Sequence, residues 1–188
     1  DALGGLSGIV SDHSMMQFRM LNTSKGPAMW SPRTQNDRVL FSLKWRELLE
    51  QNYNIDFIQD SVNEILISNN TAHGVVTTSG NSYTSKSVVI TSGTFMNGII
   101  HIGRKQMNGG RMGDNASYGI TEQLVSLGFE AGRMKTGTPP RVDGRSINYS
   151  VLEEQKGDDN PQSFSFREPV RITKQHSCHI TYTNEQVH

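Results

Sequence analysis

Residues 55–94 read IDFIQDSVNEILISNNTAHGVVTTSGNSYTSKSVVITSGT, and their punctuation decides the fold class. The β-type runs IDFIQDSVNEILIS, AHGVVTT and NSYTSKSVVI are parted by Asn69-Asn70 and by Ser79-Gly80-Asn81. Asn and Gly tolerate left-handed backbone and so mark tight turns. The spacing predicts an antiparallel meander. Its last run, KSVVITSGT, is apolar from Val88 to Ile90 and then turns small at Ser92, Gly93 and Thr94. A glycine at a strand end lets backbone approach a ligand, because no Cβ intervenes. A buried strand closed by an ordinary turn reads the same way.

Upstream, NDRVLFSLKWRELLEQN at 36–52 places Val39, Leu40, Leu43, Leu48 and Leu49 on one broad side, with Asp37 where the helix dipole favours an acid. A helix is expected there. Residues 1–35 are rich in Gly, Ser, Thr and Pro and read as short elements joined by loops, with Met15, Met16 and Met20 as adaptable packing residues. Downstream, SGTFMNGIIHIGRKQMNGGRMGDNAS at 92–117 is dense in glycine and weak in apolar periodicity, which predicts a long glycine-hinged loop of functional use. A second helix is expected over 117–127, with Gly128 as its stop. The last forty or so residues, with alternating stretches such as SFSF and CHITYT, read as a smaller β-rich unit.

The chain has 188 residues, 34% hydrophobic and 19% charged, with 18 basic residues balancing 18 acidic ones. This composition is that of a globular protein and excludes a globally basic nucleic-acid binder. Charge is unevenly placed: Arg19, Lys25, Arg33, Arg38, Lys44 and Arg46 face only Asp12 and Asp37 across the early segment, whereas Glu47 to Glu64 carries acids and no cation. A single cysteine, Cys178, excludes an internal disulfide and fits a reducing, cytoplasmic setting. His176, Cys178 and His179 lack a second ligand pair at metal spacing, so no metal is expected and Cys178 reads as a structural thiol. No apolar run approaches the ~18 residues of a membrane span. The start at Asp1 and the stop at TNEQVH suggest a piece of something longer.

One segment asks for its own explanation. GRMKTGTPPRVDGRSI at 132–147 combines Arg133, Lys135, Arg141 and Arg145 with Thr136, Thr138 and the Pro139-Pro140 pair. Prolines fix their own φ and restrict the residue before them, so the cations are expected to be held in place. Guanidinium, ammonium, hydroxyl and glycine-exposed N–H groups together suit an anionic ligand. The alternative is a surface ion-pair network with Asp114, Glu130 and Asp143.

With DALGG at 1–5, FRMLNTSKGPAMWSPRTQNDR at 18–38, KTGTPPR at 135–141 and CHITYTNEQVH at 178–188, the chain closely resembles the MnmG/GidA family of tRNA wobble-uridine modifying flavoproteins. The resemblance implies a mixed α/β fold. Residues 1–135 would be part of a glutathione-reductase-like FAD-binding domain whose meander joins strands of the nucleotide-binding sheet. Residues 136–188 would be part of an inserted β-rich domain facing substrate, NADH or tRNA. The family's Gly-x-Gly-x-x-Gly turn is absent from the sequence, which implies an internal portion, and catalytic residues would lie in flanking segments. The resemblance further implies FAD as cofactor, NADH and methylenetetrahydrofolate as cosubstrates, tRNA as substrate, a homodimer, the partner GTPase MnmE and a cytoplasmic location. It places Val62, Gly93, Thr94 and Ser117 against FAD, and Asn22, Lys25 and Gly26 near the flavin ring. Arg111, Lys135, Arg141 and Arg145 would meet anions. The alternatives are a folate-dependent tRNA uridine methyltransferase-type flavoprotein and a non-catalytic RNA- or anion-binding module. KTGTPPR favours the first reading over the related methyltransferase.

Overall fold

A computed structural model describes residues 3–137, 142–167, 172 and 174–186. In chain order the elements are α1 (Ser7–Ser14), β1 (Met15–Leu21), β2 (Ser31–Asn36), α2 (Arg38–Glu50), β3 (Val62–Ser68), β4 (Thr71–Thr77), β5 (Ser82–Thr84), β6 (Ile99–Ile102), β7 (Lys105–Asn108), α3 (Ile120–Ser126), β8 (Glu153–Gln155) and β9 (Cys178–Ile180). This is the mixed α/β content expected. The chain forms two compact units, one of Asp1–Asp56 with Val142–His188 and one of Phe57–Arg141. That grouping joins the two ends of the chain, whereas the sequence reading places the first 135 residues together. No helix among the described residues is long and apolar enough to cross a membrane.

In the first unit β1 and β2 pair antiparallel from Met15↔Asn36 to Leu21↔Ser31. Val10 and Phe18 are its buried apolar centre, and the Phe164 ring meets Phe18 edge-on at 6.1 Å. Helix α2 forms where periodicity places it, and Asp37 caps it by accepting from the Val39 and Leu40 N–H groups. Its apolar side is not core, however: Val39, Leu40 and Leu43 are exposed, Val39 at 66%. Among the described residues, the β-rich C-terminal part reduces to the antiparallel pair β8–β9. Side chains and single backbone bonds extend it onto β1. Asp158 N–H donates to Phe18 O (2.9 Å) and His176 N–H to Met16 O (2.9 Å). The Phe18 N–H donates to Gln175 Oε1 (2.8 Å) and the Met20 N–H to Asp158 Oδ2 (2.7 Å). Asp12, nearly inaccessible, accepts from the Phe164 and Ser165 N–H groups. A buried carboxylate is tolerated there because each oxygen has a donor.

In the second unit β3, β4 and β5 form the antiparallel meander, turning at Asn69 and Asn70, both with positive φ. The KSVVIT run is not a strand. β5 ends at Thr84, the Ser85 N–H makes a last bond to His73 O, and Val89 stands 82% exposed. An extended run becomes a strand only against a partner ladder, and no described segment supplies one. The glycine-rich segment also differs from expectation: it holds the hairpin β6–β7, with Ile102 opposite Lys105 across the two-residue loop Gly103-Arg104. Such a Gly-X loop is the sequence signal that was there to be read. Helix α3 begins at Ile120 rather than 117, because Ser117 is held in a bridge with Met96. It ends as expected. Gly128 N–H donates to Val125 O and Phe129 N–H to Leu124 O, the paired bonds of a Schellman terminus.

Candidate functional site

The cofactor residues implied by the resemblance fall into two neighbourhoods, one in each unit. In the second unit Val62 opens β3, and its carbonyl accepts from the Ser117 hydroxyl at 3.2 Å. Ser117 is itself fixed by backbone: its N–H donates to Phe95 O and its carbonyl accepts from Asn97 N–H. Gly93 and Thr94 lie in the turn closed by Phe95 N–H to Ser92 O, and the Thr94 hydroxyl donates to Gly110 O at 2.6 Å. Ser117 therefore links the Val62 carbonyl to the Phe95 and Asn97 backbone, next to the turn that carries Thr94. Gly93 has φ of +56°, with open space where a Cβ would stand.

Beside this backbone runs a groove of about 500 Å³. Met96, Leu124 and Phe129 give it an apolar wall, while Asn97, Thr121 and Arg133 supply polar groups. Arg133 donates through both terminal nitrogens to the Asn97 carbonyl, at 3.2 and 3.1 Å. The Asn97 amide nitrogen donates to Glu122 Oε1 at 2.6 Å, and the Gly119 N–H donates to Glu122 Oε2. Those bonds, the Asn97 amide first, hold the Glu122 carboxyl below its ordinary range. The Asn97 Oδ1 is buried and accepts nothing. A buried acceptor without a donor is costly.

The anion candidates separate. Arg111 pairs with Asp114 at 2.7 Å and lies 5.7 Å from the Phe95 ring centroid, so its charge is already engaged. Arg145 forks onto Asp143, its Nε and terminal nitrogen reaching both carboxylate oxygens. The Asp143 carboxylate beside it raises the Arg145 guanidinium and is lowered in return. For Arg145 the geometry is that of the surface ion-pair alternative. Lys135 is exposed, with no partner among the described residues. Arg141, with the Pro139-Pro140 pair, lies outside the described residues.

In the first unit LNTSKGPAMW forms tight successive turns between β1 and β2. Asn22 has φ of 60°, Gly26 has φ of 89°, and the Lys25 N–H donates to Asn22 O. Trp30 Nε1 donates to Thr23 O at 3.3 Å and ties the loop to its own start. The Lys25 side chain projects from a fixed backbone, with no partner among the described residues. Cys178 has a structural setting: its thiol donates to Gln17 Oε1 at 3.5 Å and accepts from Gln35 Nε2. His179 packs edge-on against Tyr149. Sequence reasoning missed the amides that organise both units, Gln17, Gln123, Gln175 and Asn97. The available signal was an uncharged amide inside a largely apolar run, as Gln17 is in MMQFRML.

The family model described as Glucose inhibited division protein A matches residues 1–188. Among curated relatives, the protein of Cytophaga hutchinsonii named tRNA uridine 5-carboxymethylaminomethyl modification enzyme MnmG is 63% identical over 189 residues, covering all of this chain and 30% of that protein. The protein of the same name from Flavobacterium johnsoniae is 58% identical over the same extent. Among solved structures, Aquifex aeolicus GidA in its form II crystal superposes with a TM-score of 0.88 at 42% identity, over 99% of this chain and 32% of that one. The chain thus spans about 30% of the length of the relatives it matches.

Proposed function

This chain belongs to the glucose inhibited division protein A family, and from that premise we propose that it is the central part of an enzyme that modifies the tRNA wobble uridine at C5 by 5-carboxymethylaminomethyl addition. In this reading the full protein holds FAD, takes electrons from NADH and a one-carbon unit from methylenetetrahydrofolate, acts on tRNA as a cytoplasmic homodimer, and works with the GTPase MnmE. Residues 1–135 contribute to the cofactor domain and 136–188 to an inserted domain facing substrate.

The observation that carries the cofactor assignment is the Ser117 link between the Val62 carbonyl and the Phe95 and Asn97 backbone, beside a groove with a buried acceptor that lacks a donor. An aromatic heterocycle bearing an amino or imide N–H fits that lining. Its flat faces suit Met96, Leu124 and Phe129, and its donor suits Asn97 Oδ1. FAD, when bound, supplies the hydride and electron chemistry that side chains lack. In the second unit Ser117 and Val62 fix the strand end and Thr94 ties the turn to Gly110. In the first unit, taken by itself, Lys25 offers a cation from a fixed loop.

The test is Gly93→Val in the full protein. A β-branched side chain at φ of +56° strains the turn that carries Thr94, at a local cost of about 1–3 kcal/mol, and the protein is expected to purify without flavin absorbance. Variant protein that stays yellow, with flavin at wild-type stoichiometry, would remove Gly93 and its turn from the cofactor site.

A further inference from the structure

The cation-rich early segment contains a pair that neither the fold nor the proposed activity uses. Arg19 on β1 stands directly opposite Arg33 on β2. Directly opposed residues of an antiparallel pair project from the same face, and like charges so placed repel. Both side chains are half-buried, and the Nε–H of each is buried without an acceptor. Arg33 is held by a terminal nitrogen that donates to Gln17 Oε1 at 3.3 Å. Gln17 is 1% exposed, and its own amide nitrogen donates to the Gln155 and His176 carbonyls, so the anchor is rigid. Arg19 has no partner among the described residues, and none of the described ion pairs includes either arginine. Two cations placed face to face, each with an unanswered donor, suit an anion that both can share.

We propose that Arg19 and Arg33 form a phosphate-binding site on the β1–β2 hairpin. A carboxylate offers both of its oxygens to a single guanidinium fork, whereas a tetrahedral phosphate has oxygens left for the second. Its charge also offsets the repulsion that the pairing creates. Gln17 is the positioning residue, since it fixes the Arg33 guanidinium through one acceptor bond. The site lies entirely in the first unit and does not depend on the redox reading. The phosphate belongs either to a nucleotide or to an RNA backbone.

The experiment compares melting of the full protein in inorganic phosphate and in sodium chloride of matched ionic strength. Wild type is expected to gain a melting increment specific to phosphate. Arg19→Gln is expected to melt higher than wild type in chloride, because the repulsion is gone, and to lose the phosphate increment, with phosphate affinity at least about tenfold weaker. Arg19→Lys keeps the charge without the fork and is expected to retain only part of the increment. Displacement of phosphate by adenosine monophosphate identifies a nucleotide source, and displacement by tRNA identifies a backbone source. An undiminished phosphate increment in Arg19→Gln overturns the proposal. So does the absence of any increment in wild type, or an equal fall in melting temperature in both salts, which makes Arg19 a packing residue only.

Discussion

Gln175 places one amide between two strands of backbone. Its oxygen accepts from Phe18 N–H at 2.8 Å and its nitrogen donates to Asp158 O at 2.7 Å. Gly157 makes this possible, because a Cβ there would overlap the Gln175 amide. Gly157→Ala is therefore expected to displace the amide, leave the Phe18 N–H unsatisfied, and destabilise the full protein by about 1–3 kcal/mol. The check is a double-mutant cycle with Gln175→Ala, read by thermal denaturation. If the two losses simply add, the glycine is not reserving space for the amide. None of this was legible in the sequence, where Gly157 sits in an unremarked loop and Gln175 falls in a stretch without periodicity. The Asp37 cap of α2 was legible, because a cap depends on residues two and three positions away.

The Gln123 side chain hydrogen-bonds helix α3 to β3. Gln123 Oε1 accepts from the Ile65 N–H and its Nε2 donates to the Ile65 carbonyl, both at 2.7 Å, so it completes the outer edge of the meander as a neighbouring strand would. Gln123→Leu is expected to cost roughly 2 kcal/mol and to speed amide exchange at Ile65 while leaving the β4-facing amides protected. Unchanged exchange at Ile65 would show that the edge is shielded by other means. The same helix start carries a pH dependence. Glu122 is held below the ordinary glutamate value of 4.5 by the Asn97 amide first and by backbone N–H groups. A carboxyl lowered in the folded state contributes stability that is full above about pH 4.5 and is lost as pH falls through its lower folded value. Wild-type melting should fall more steeply than that of Glu122→Gln through this acid range, and parallel curves would detach Glu122 from the effect.

At the scale of the whole molecule, the cationic segment at 132–147 decides between ligand binding and surface pairing. Arg145 is 92% exposed in its side chain and forked onto Asp143, an arrangement that contributes little to stability in water. Its charge therefore remains available to a strong anion that can displace Asp143. Arg141→Gln with Arg145→Gln in the full protein is expected to leave the melting temperature unchanged. It should also reduce the slope of log tRNA affinity against log salt by roughly 0.7–0.9 for each phosphate that the variant no longer neutralises. Wild-type tRNA affinity across the salt series, together with wild-type NADH oxidation, would make the segment an ion-pair network only. A raised Michaelis constant for NADH with tRNA binding intact would instead assign the cations to the cosubstrate.

The sequence by itself determined what depends on neighbours a few residues apart. The meander follows from the Asn69-Asn70 and Ser79-Gly80 turns, α2 from its apolar period and the Asp37 cap, and the end of α3 from Gly128. Family membership was also legible, through contiguous motifs that need no folding to be read. Only the tertiary structure decided whether KSVVIT had a strand to pair with, that Arg111 lies beside Asp114 and Arg145 beside Asp143, and that Arg19 faces Arg33. It alone brought Gln17 to Gln155 and His176, and Asp12 to Phe164 and Ser165, pairs separated by well over a hundred residues. The reason is that a polar side chain satisfies itself with whichever donor or acceptor the chain path brings within about 3 Å. Local composition fixes which residues turn or coil. The partner of a buried amide or guanidinium is set by packing, to which residue spacing carries no guide.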